Sequence, residues 1–239
     1  AIDAIIEEVP KQRQTLLFSA TYPGQIKSMA KRIMREPVTV KVDHEHDESS
    51  IDQHFYKIKD DAGRETAVRL LLLHLQPEST LIFCNTKKET KELAKSLGEF
   101  DFSALPIHGD LEQKDRDQAL VQFANRSISI LVATDVAARG LDIDSIDAVI
   151  NYQIAHDPEV HIHRIGRTGR AGASGAAYTL YSQAEQHKLA SVAGNLPSKL
   201  LNESLPPSSA LYSKATWPPN RTLQIDGGNK LKVRAGDML

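Results

Sequence analysis

The chemistry-bearing residues of this 239-residue chain sit in short polar runs placed directly after apolar ones. Asn85, Thr86 and Lys87 follow Leu81, Ile82, Phe83 and Cys84. His108, Gly109 and Asp110 follow Phe102 to Ile107. Thr134 and Asp135 follow Ile128 to Ala133 and lead into Arg139, Gly140, Leu141 and Asp142. A fourth run, His163 to Gly172, threads Arg164, Arg167 and Arg170 among glycines. Hydroxyls, amides, carboxylates and glycines that expose backbone N–H groups are what holds phosphates and sugar hydroxyls, so the set reads as a polyanion site. Arg167 and Arg170 flank Gly169, where a missing side chain lets the backbone turn sharply. Two guanidinium groups reaching out from such a turn suit the spreading charge of a phosphoryl-transfer transition state. Taken alone, the same arginines would equally fit a solvated loop that stabilises a helix end.

The elements that must position these groups follow one rhythm of apolar strand, polar turn and amphipathic helix. Strands are expected at Gln53–Lys59, Thr80–Cys84, Phe102–Ile107, Ile128–Ala133, Ala148–Asn151 and Ala176–Tyr181. Helices are expected at Arg64–Leu75, Lys87–Leu97, Gln113–Phe123, Pro158–Ile165 and Ala184–Gly194. Thr86, Thr90, Leu93, Ala94 and Leu97 recur at helical spacing, which gives that helix one face to pack on a sheet. The run Ile128 to Ala133 is almost continuously apolar, as a strand covered on both faces requires. The fold class is therefore α/β with a parallel sheet and helices on both faces, and its ligands belong beyond the C-terminal ends of the strands.

Upstream, Gln14–Ala20 reads as a strand and Pro23–Met34 as a helix, both looking like the tail of another domain. Residues 43–50 read as a solvated linker, 51–196 as the main domain, 197–222 as a Ser- and Pro-rich connector, and 223–239 as the start of a further piece with a turn at Gly227 and Gly228. An apolar strand without a sheet partner is prone to pair elsewhere, so residues 1–42 are expected not to hold a native arrangement.

Composition narrows the class further. The lone Cys84 lies in an apolar run and excludes a disulfide framework, and no stretch approaches the roughly 20 apolar residues of a membrane helix. A cytoplasmic protein is expected. The net charge of -2 conceals a sorted distribution: Lys11 to Arg35 holds six basic residues and no acidic one, and Asp43 to Asp52 holds five acidic residues. His44 and His46 in that acidic stretch, and His161 and His163 on different helix faces, do not make a metal site.

At the level of spelling, Ser19, Ala20 and Thr21 (SAT), Ile82–Thr86 (IFCNT), His108 and Gly109 with Gln113 and Arg116 (HG, QxxR), Val132–Ile143 (VATDVAARGLDI) and His163–Arg170 (HRIGRTGR) stand in the order of the DEAD-box RNA helicase motifs. The chain resembles that family over essentially its whole length. The likeness implies a RecA-like second helicase lobe at 51–196, preceded by a C-terminal fragment of the first lobe at 1–42. It also implies that 223–239 begins a small RNA-binding domain, as in a bacterial branch with a similar tail.

By the same resemblance, Arg167 and Arg170 are arginine fingers on the ATP phosphates. Gly140 and Asp142 lie at the nucleotide ribose, and Thr86, Gly109, Arg116 and Thr134 along the RNA backbone. Ser19 and Thr21 couple hydrolysis to closure of the lobes. The implied activity is ATP-dependent unwinding of short RNA duplexes, with ATP and Mg²⁺ as cofactors and large-subunit ribosomal RNA as partner during ribosome assembly.

The chain departs from the family pattern in carrying no G-x-x-x-x-G-K-[ST] loop and no DEAD tetrapeptide. Alone, it is not expected to bind the cofactors or hydrolyse ATP. Two other readings stay open: a helicase-family enzyme acting on DNA, and a non-catalytic RNA-binding module. The oligomeric state is open too.

Overall fold

The computed structural model describes residues 2–18, 24–40, 51–60, 62–138, 146–169, 175–194, 196 and 198–223. Contacts divide the chain into two compact units, residues 1–46 and 47–239. In the first, α1 (Ile2–Glu8) and α2 (Gly24–Ile33) are the only regular elements among the described residues. Arg32 pairs with Asp3 at 2.9 Å, and Arg13 donates to the Pro10 carbonyl at 3.0 Å. The helix expected at Pro23–Met34 forms. The strand expected at Gln14–Ala20 does not: its described part, Gln14–Phe18, is irregular, with Leu16 and Phe18 exposed. A strand is held by hydrogen bonds to a neighbour, and no described residue of this unit supplies one. Ser19, Thr21 and the linker at 43–50 lie outside the described residues.

Among the described residues, the second unit is built on six strands: β1 (Ile51–Lys57), β2 (Thr80–Cys84), β3 (Ala104–Ile107), β4 (Ile130–Thr134), β5 (Ala148–Asn151) and β6 (Gly175–Tyr181). Every pairing is parallel, in the order β1-β6-β5-β2-β4-β3. The connecting helices are α3 (Ala62–Leu75), α4 (Lys87–Glu99), α5 (Gln113–Ala124), the short α6 (Asp135–Ala138), α7 (Pro158–Ile165) and α8 (Gln186–Ala193). α7 spans the expected residues, started by Asp157, whose carboxylate accepts from the Glu159 N–H at 2.8 Å, and by Pro158 at its first position. The helix expected at Ala184–Gly194 begins instead as a 3-10 turn over Gln183–Glu185.

Alternate residues of β2 go to opposite layers. Ile82 and Cys84 pack with Val68, Leu71, Leu93 and Leu97 of α3 and α4. Leu81 and Phe83 pack with Ala119, Phe123, Ala137 and Ile165 of α5, α6 and α7. This double burial is why the strand is apolar at successive positions. Burial pushes the Cys84 thiol up to about 12, which leaves it an inert packing group. The sheet ends at β3, where Pro106 costs nothing because an edge strand has a side with no partner.

At the other edge, residues 198–222 form a strap across the domain. The Glu203 N–H donates to the Phe55 carbonyl at 2.9 Å, and its carboxylate meets His54 Nδ1 at 3.0 Å. Leu205, Leu211 and Ala215 join the α3/α4 side of the core. Asn220 and Thr222 reach the turn after α5, where the Asn220 amide donates to the Asn125 carbonyl at 2.8 Å and the Thr222 hydroxyl to Ser127 Oγ at 2.7 Å. Residues 224–239, including Gly227 and Gly228, are outside the described residues.

His161 of α7 is 1% exposed, stacked on Phe55 of β1, with Nδ1 unpartnered. Burial, helped by the nearby Arg164 charge, lowers its pKa to about 4. A folded-state value below the ordinary 6.5 means the domain holds His161 neutral. Stability is therefore full above about pH 6.5 and is lost progressively as pH falls toward 4, by up to about 3 kcal/mol. Urea denaturation across that range should show the decline, and His161→Phe should flatten it.

Candidate functional site

The strand order creates a crevice between β5 and β2. The chain leaves β2 into α4 on one face of the sheet and leaves β5 into α7 on the other, so the two strand ends diverge. Such a switch point is where open α/β sheets take ligands. Here a side chain enters it. Arg164, near the C-terminus of α7, is 1% exposed, and its Nε and Nη2 donate to both oxygens of Asp135 at 2.6 and 2.8 Å. Nη2 also donates to Asn85 Oδ1 at 2.7 Å and Nη1 to the Gln153 carbonyl at 3.0 Å, with the guanidinium 5.3 Å from the centre of the Phe83 ring. The ends of β2, β4 and β5 are thus tied to one cation. A helical side chain leans toward its own N-terminus, which is how Arg164 reaches back to the strand ends.

A second buried arginine works nearby. Arg64 of α3 donates to the Tyr152 carbonyl at 2.6 Å and pairs with Glu185, whose carboxylate also accepts from the Ser182 N–H at 2.9 Å. It ties α3 to the residues after β5 and β6. The sequence reading missed it, although a charged residue one turn before Val68, on the buried face of an apolar helix, was the available signal.

The four residues expected along a nucleic-acid backbone come together at three adjacent strand ends, β2, β4 and β3. Thr86 is the N-cap of α4. Its oxygen accepts from the Glu89 N–H at 3.2 Å, while the Glu89 carboxylate accepts from the Thr86 N–H at 3.0 Å, a complete capping box. Gly109 is exposed, and a Cβ there would touch Cε of Lys87 at 3.5 Å. Arg116 donates to the Ala137 carbonyl at 2.7 Å, and Thr134 Oγ1 accepts from the Ala137 N–H at 3.4 Å. So α6 links Arg116 to Thr134, and Lys87 links Thr86 to Gly109.

The arginine run, by contrast, is split. α7 runs back along the sheet from the strand ends for about 12 Å, the length of eight helical residues. The turn Gly166–Gly169 therefore lies beside the strand starts and not at their C-terminal ends. The Arg167 carbonyl accepts from the Ile146 N–H at 3.4 Å, just ahead of β5, and the Thr168 hydroxyl donates to the Ile146 carbonyl at 2.5 Å. Gly169 has a φ of +69°, and a Cβ on Gly175 would come within 2.2 Å of its nitrogen and 2.3 Å of the Thr168 hydroxyl, so the start of β6 fits against this turn only without a side chain. Arg170, Gly140 and Asp142 lie outside the described residues.

Comparison with known proteins agrees with this architecture. The family model for the helicase conserved C-terminal domain matches residues 63–172. Over 240 aligned residues the chain is 48% identical to the ATP-dependent RNA helicase DbpA of Escherichia coli (strain K12), covering 100% of this chain and 52% of that protein. The chain thus spans about half the length of that relative. A Saccharomyces cerevisiae Dbp5 structure bound to RNA and ADP BeF3 superposes with a TM-score of 0.71 at 29% identity, covering 82% of this chain and 54% of that one. The structure of the C-terminal domain of the DEAD-box protein Dbp5 is 30% identical with a TM-score of 0.57, covering 62% of this chain and 88% of that one. The sheet is that of a RecA-like helicase lobe, and the chain belongs to the DEAD-box RNA helicase family.

Arg164 carries a direct stability test. Removing Arg164 leaves Asp135, 27% exposed, and the Asn85 and Gln153 acceptors without their donor, so Arg164→Ala should cost about 1–3 kcal/mol of unfolding free energy. Equilibrium urea denaturation would measure it.

Proposed function

We propose that this chain supplies the second motor lobe of an ATP-dependent RNA helicase that separates short RNA duplexes. Carrying the proposal is the gathering of Thr86, Gly109, Arg116 and Thr134 at three neighbouring strand ends, in a protein family whose Dbp5 member has been captured with RNA. Contacts of this kind act on phosphates and sugars, so binding is insensitive to base sequence and falls with salt. Arg167 and Arg170 are the proposed arginine fingers, and Gly140 and Asp142 the proposed ribose contacts. Ser19 and Thr21 are assigned to coupling hydrolysis with lobe closure.

Arg167 fits a phosphate partner. Its backbone is anchored on a glycine turn, and the side chain is partly exposed. ATP with Mg²⁺ supplies the driving reaction when a nucleotide-binding lobe faces this one. The present chain contributes cationic side chains to that site but no phosphate loop. Closure of the two lobes on a bent single strand would break the duplex, and hydrolysis would free the strand.

The proposal extends, on the motif resemblance, to a cytoplasmic setting and to large-subunit ribosomal RNA as partner, with residues 223–239 starting the domain that selects the target. Domain limits at 42, 51, 196 and 222 belong to the same proposal.

The decisive measurement is RNA-stimulated ATP hydrolysis by the longer protein containing both lobes. Arg167→Ala should lower it by roughly 10³-fold or more, the range of arginine fingers. A rate near that of the unsubstituted protein would remove Arg167 from the transition state. Equal stimulation by DNA of the same sequence would favour the DNA-acting alternative.

A further inference from the structure

At the rim beside Thr86 and Gly109, two lysines converge on one carboxylate. Lys87 and Lys91 are one turn apart on α4 and so share a helix face. Lys87 Nζ donates to Asp110 Oδ1, and Lys91 Nζ lies 3.5 Å from Asp110 Oδ2. All three side chains are about half exposed. The Asp110 N–H donates to His108 Nδ1 at 3.3 Å, which fixes the backbone under the carboxylate. Gly109 lies under the Lys87 stem, at a distance where a Cβ would make ordinary van der Waals contact with Cε. Other acids of α4 are engaged elsewhere: Glu89 with Thr86 and Gln153, and Glu92 with Lys88.

We propose that Asp110 is a displaceable stand-in for an RNA phosphate: it gathers Lys87 and Lys91 at the rim, and a backbone phosphate of single-stranded RNA takes its place. The inference rests on reading this rim as an RNA surface. Two ammonium groups facing one carboxylate leave a net positive charge, and exposed ion pairs of this type contribute little to stability. Asp110 is therefore a weak competitor, and the lysines are held extended and close together until RNA arrives. The neighbouring lysines keep the Asp110 carboxyl below the usual carboxylate range, so it is ionised and competing throughout the neutral range. Lys87 and Lys91 become RNA contacts that the family motifs quoted above do not include.

The test is fluorescence anisotropy of a labelled oligouridylate of about ten nucleotides, a length suited to single-strand grooves. It is titrated with the 239-residue chain at several salt concentrations. Asp110→Asn should tighten binding about two- to fivefold, the worth of one exposed ion pair. Lys87→Ala with Lys91→Ala should weaken binding and make the log–log salt slope shallower by about 0.7 to 1.4, the loss of one or two phosphate contacts. In that double-alanine background the gain from Asp110→Asn should vanish.

An equal gain in both backgrounds would mean only long-range charge and would overturn the clasp. So would an unchanged affinity for Asp110→Asn in a chain that binds RNA. No binding by the unsubstituted chain would instead overturn the RNA reading, and the clasp with it.

Discussion

The ends of three strands are held together by one buried guanidinium. Arg164 enters the crevice where a ligand would otherwise sit and meets both oxygens of Asp135, the Asn85 amide oxygen and the Gln153 carbonyl. A guanidinium out of water is tolerated only when its N–H groups are matched, and its planar fork does this with four acceptors from three strand ends. The partners cannot drift independently. Asn85 precedes the Thr86 cap, and Asp135 opens α6, whose Ala137 serves both Arg116 and Thr134. Positions proposed to follow an RNA backbone are set at one remove by a residue that would not touch RNA.

That arrangement also separates two chemistries in space. α7 carries Arg164 into the crevice and then delivers Arg167 to the turn beside Ile146 and Gly175. The helix is rigid and short, and its N-terminal cap at Asp157 and Pro158 fixes where it starts. A shift of the strand ends would be carried along α7 to the arginine turn without any loop having to reorder. The proposed RNA surface and the proposed phosphate contact are thus joined by one helix packed on the sheet.

Much of this was legible in the amino-acid order, and the exceptions have physical causes. Strands buried on both faces are written as unbroken apolar runs, so β2, β4 and β5 were locatable nearly to the residue. The Thr86-x-x-Glu89 box and Asp157-Pro158 marked helix starts through local hydrogen bonding alone. What local reasoning missed is tertiary. Arg164 reads in the sequence only as one member of an arginine cluster among glycines, and the strand order reveals the crevice it fills. Arg167 looked like a strand-end residue, because periodicity does not say how far α7 runs back. The strand expected at Gln14–Ala20 has suitable residues but no described neighbour to bond to. The strap at 198–222, rich in Ser and Pro, read as a connector because its anchors are single residues, Leu205, Leu211 and Ala215, without a period.

The pairing of β1 has a consequence for how the domain is made. β1 is the first strand of the lobe to be synthesised, but its sheet partner is β6, the last, and its outer edge is met by Glu203, 149 residues after His54. Strands β2 to β5 pair among themselves, whereas β1 has no strand partner until β6 has been made. Closing so long a loop is slow compared with local helix formation. Phe55 in particular packs with Ile154, Tyr181, Leu189 and Ala193, all of which lie about a hundred residues or more further along the chain.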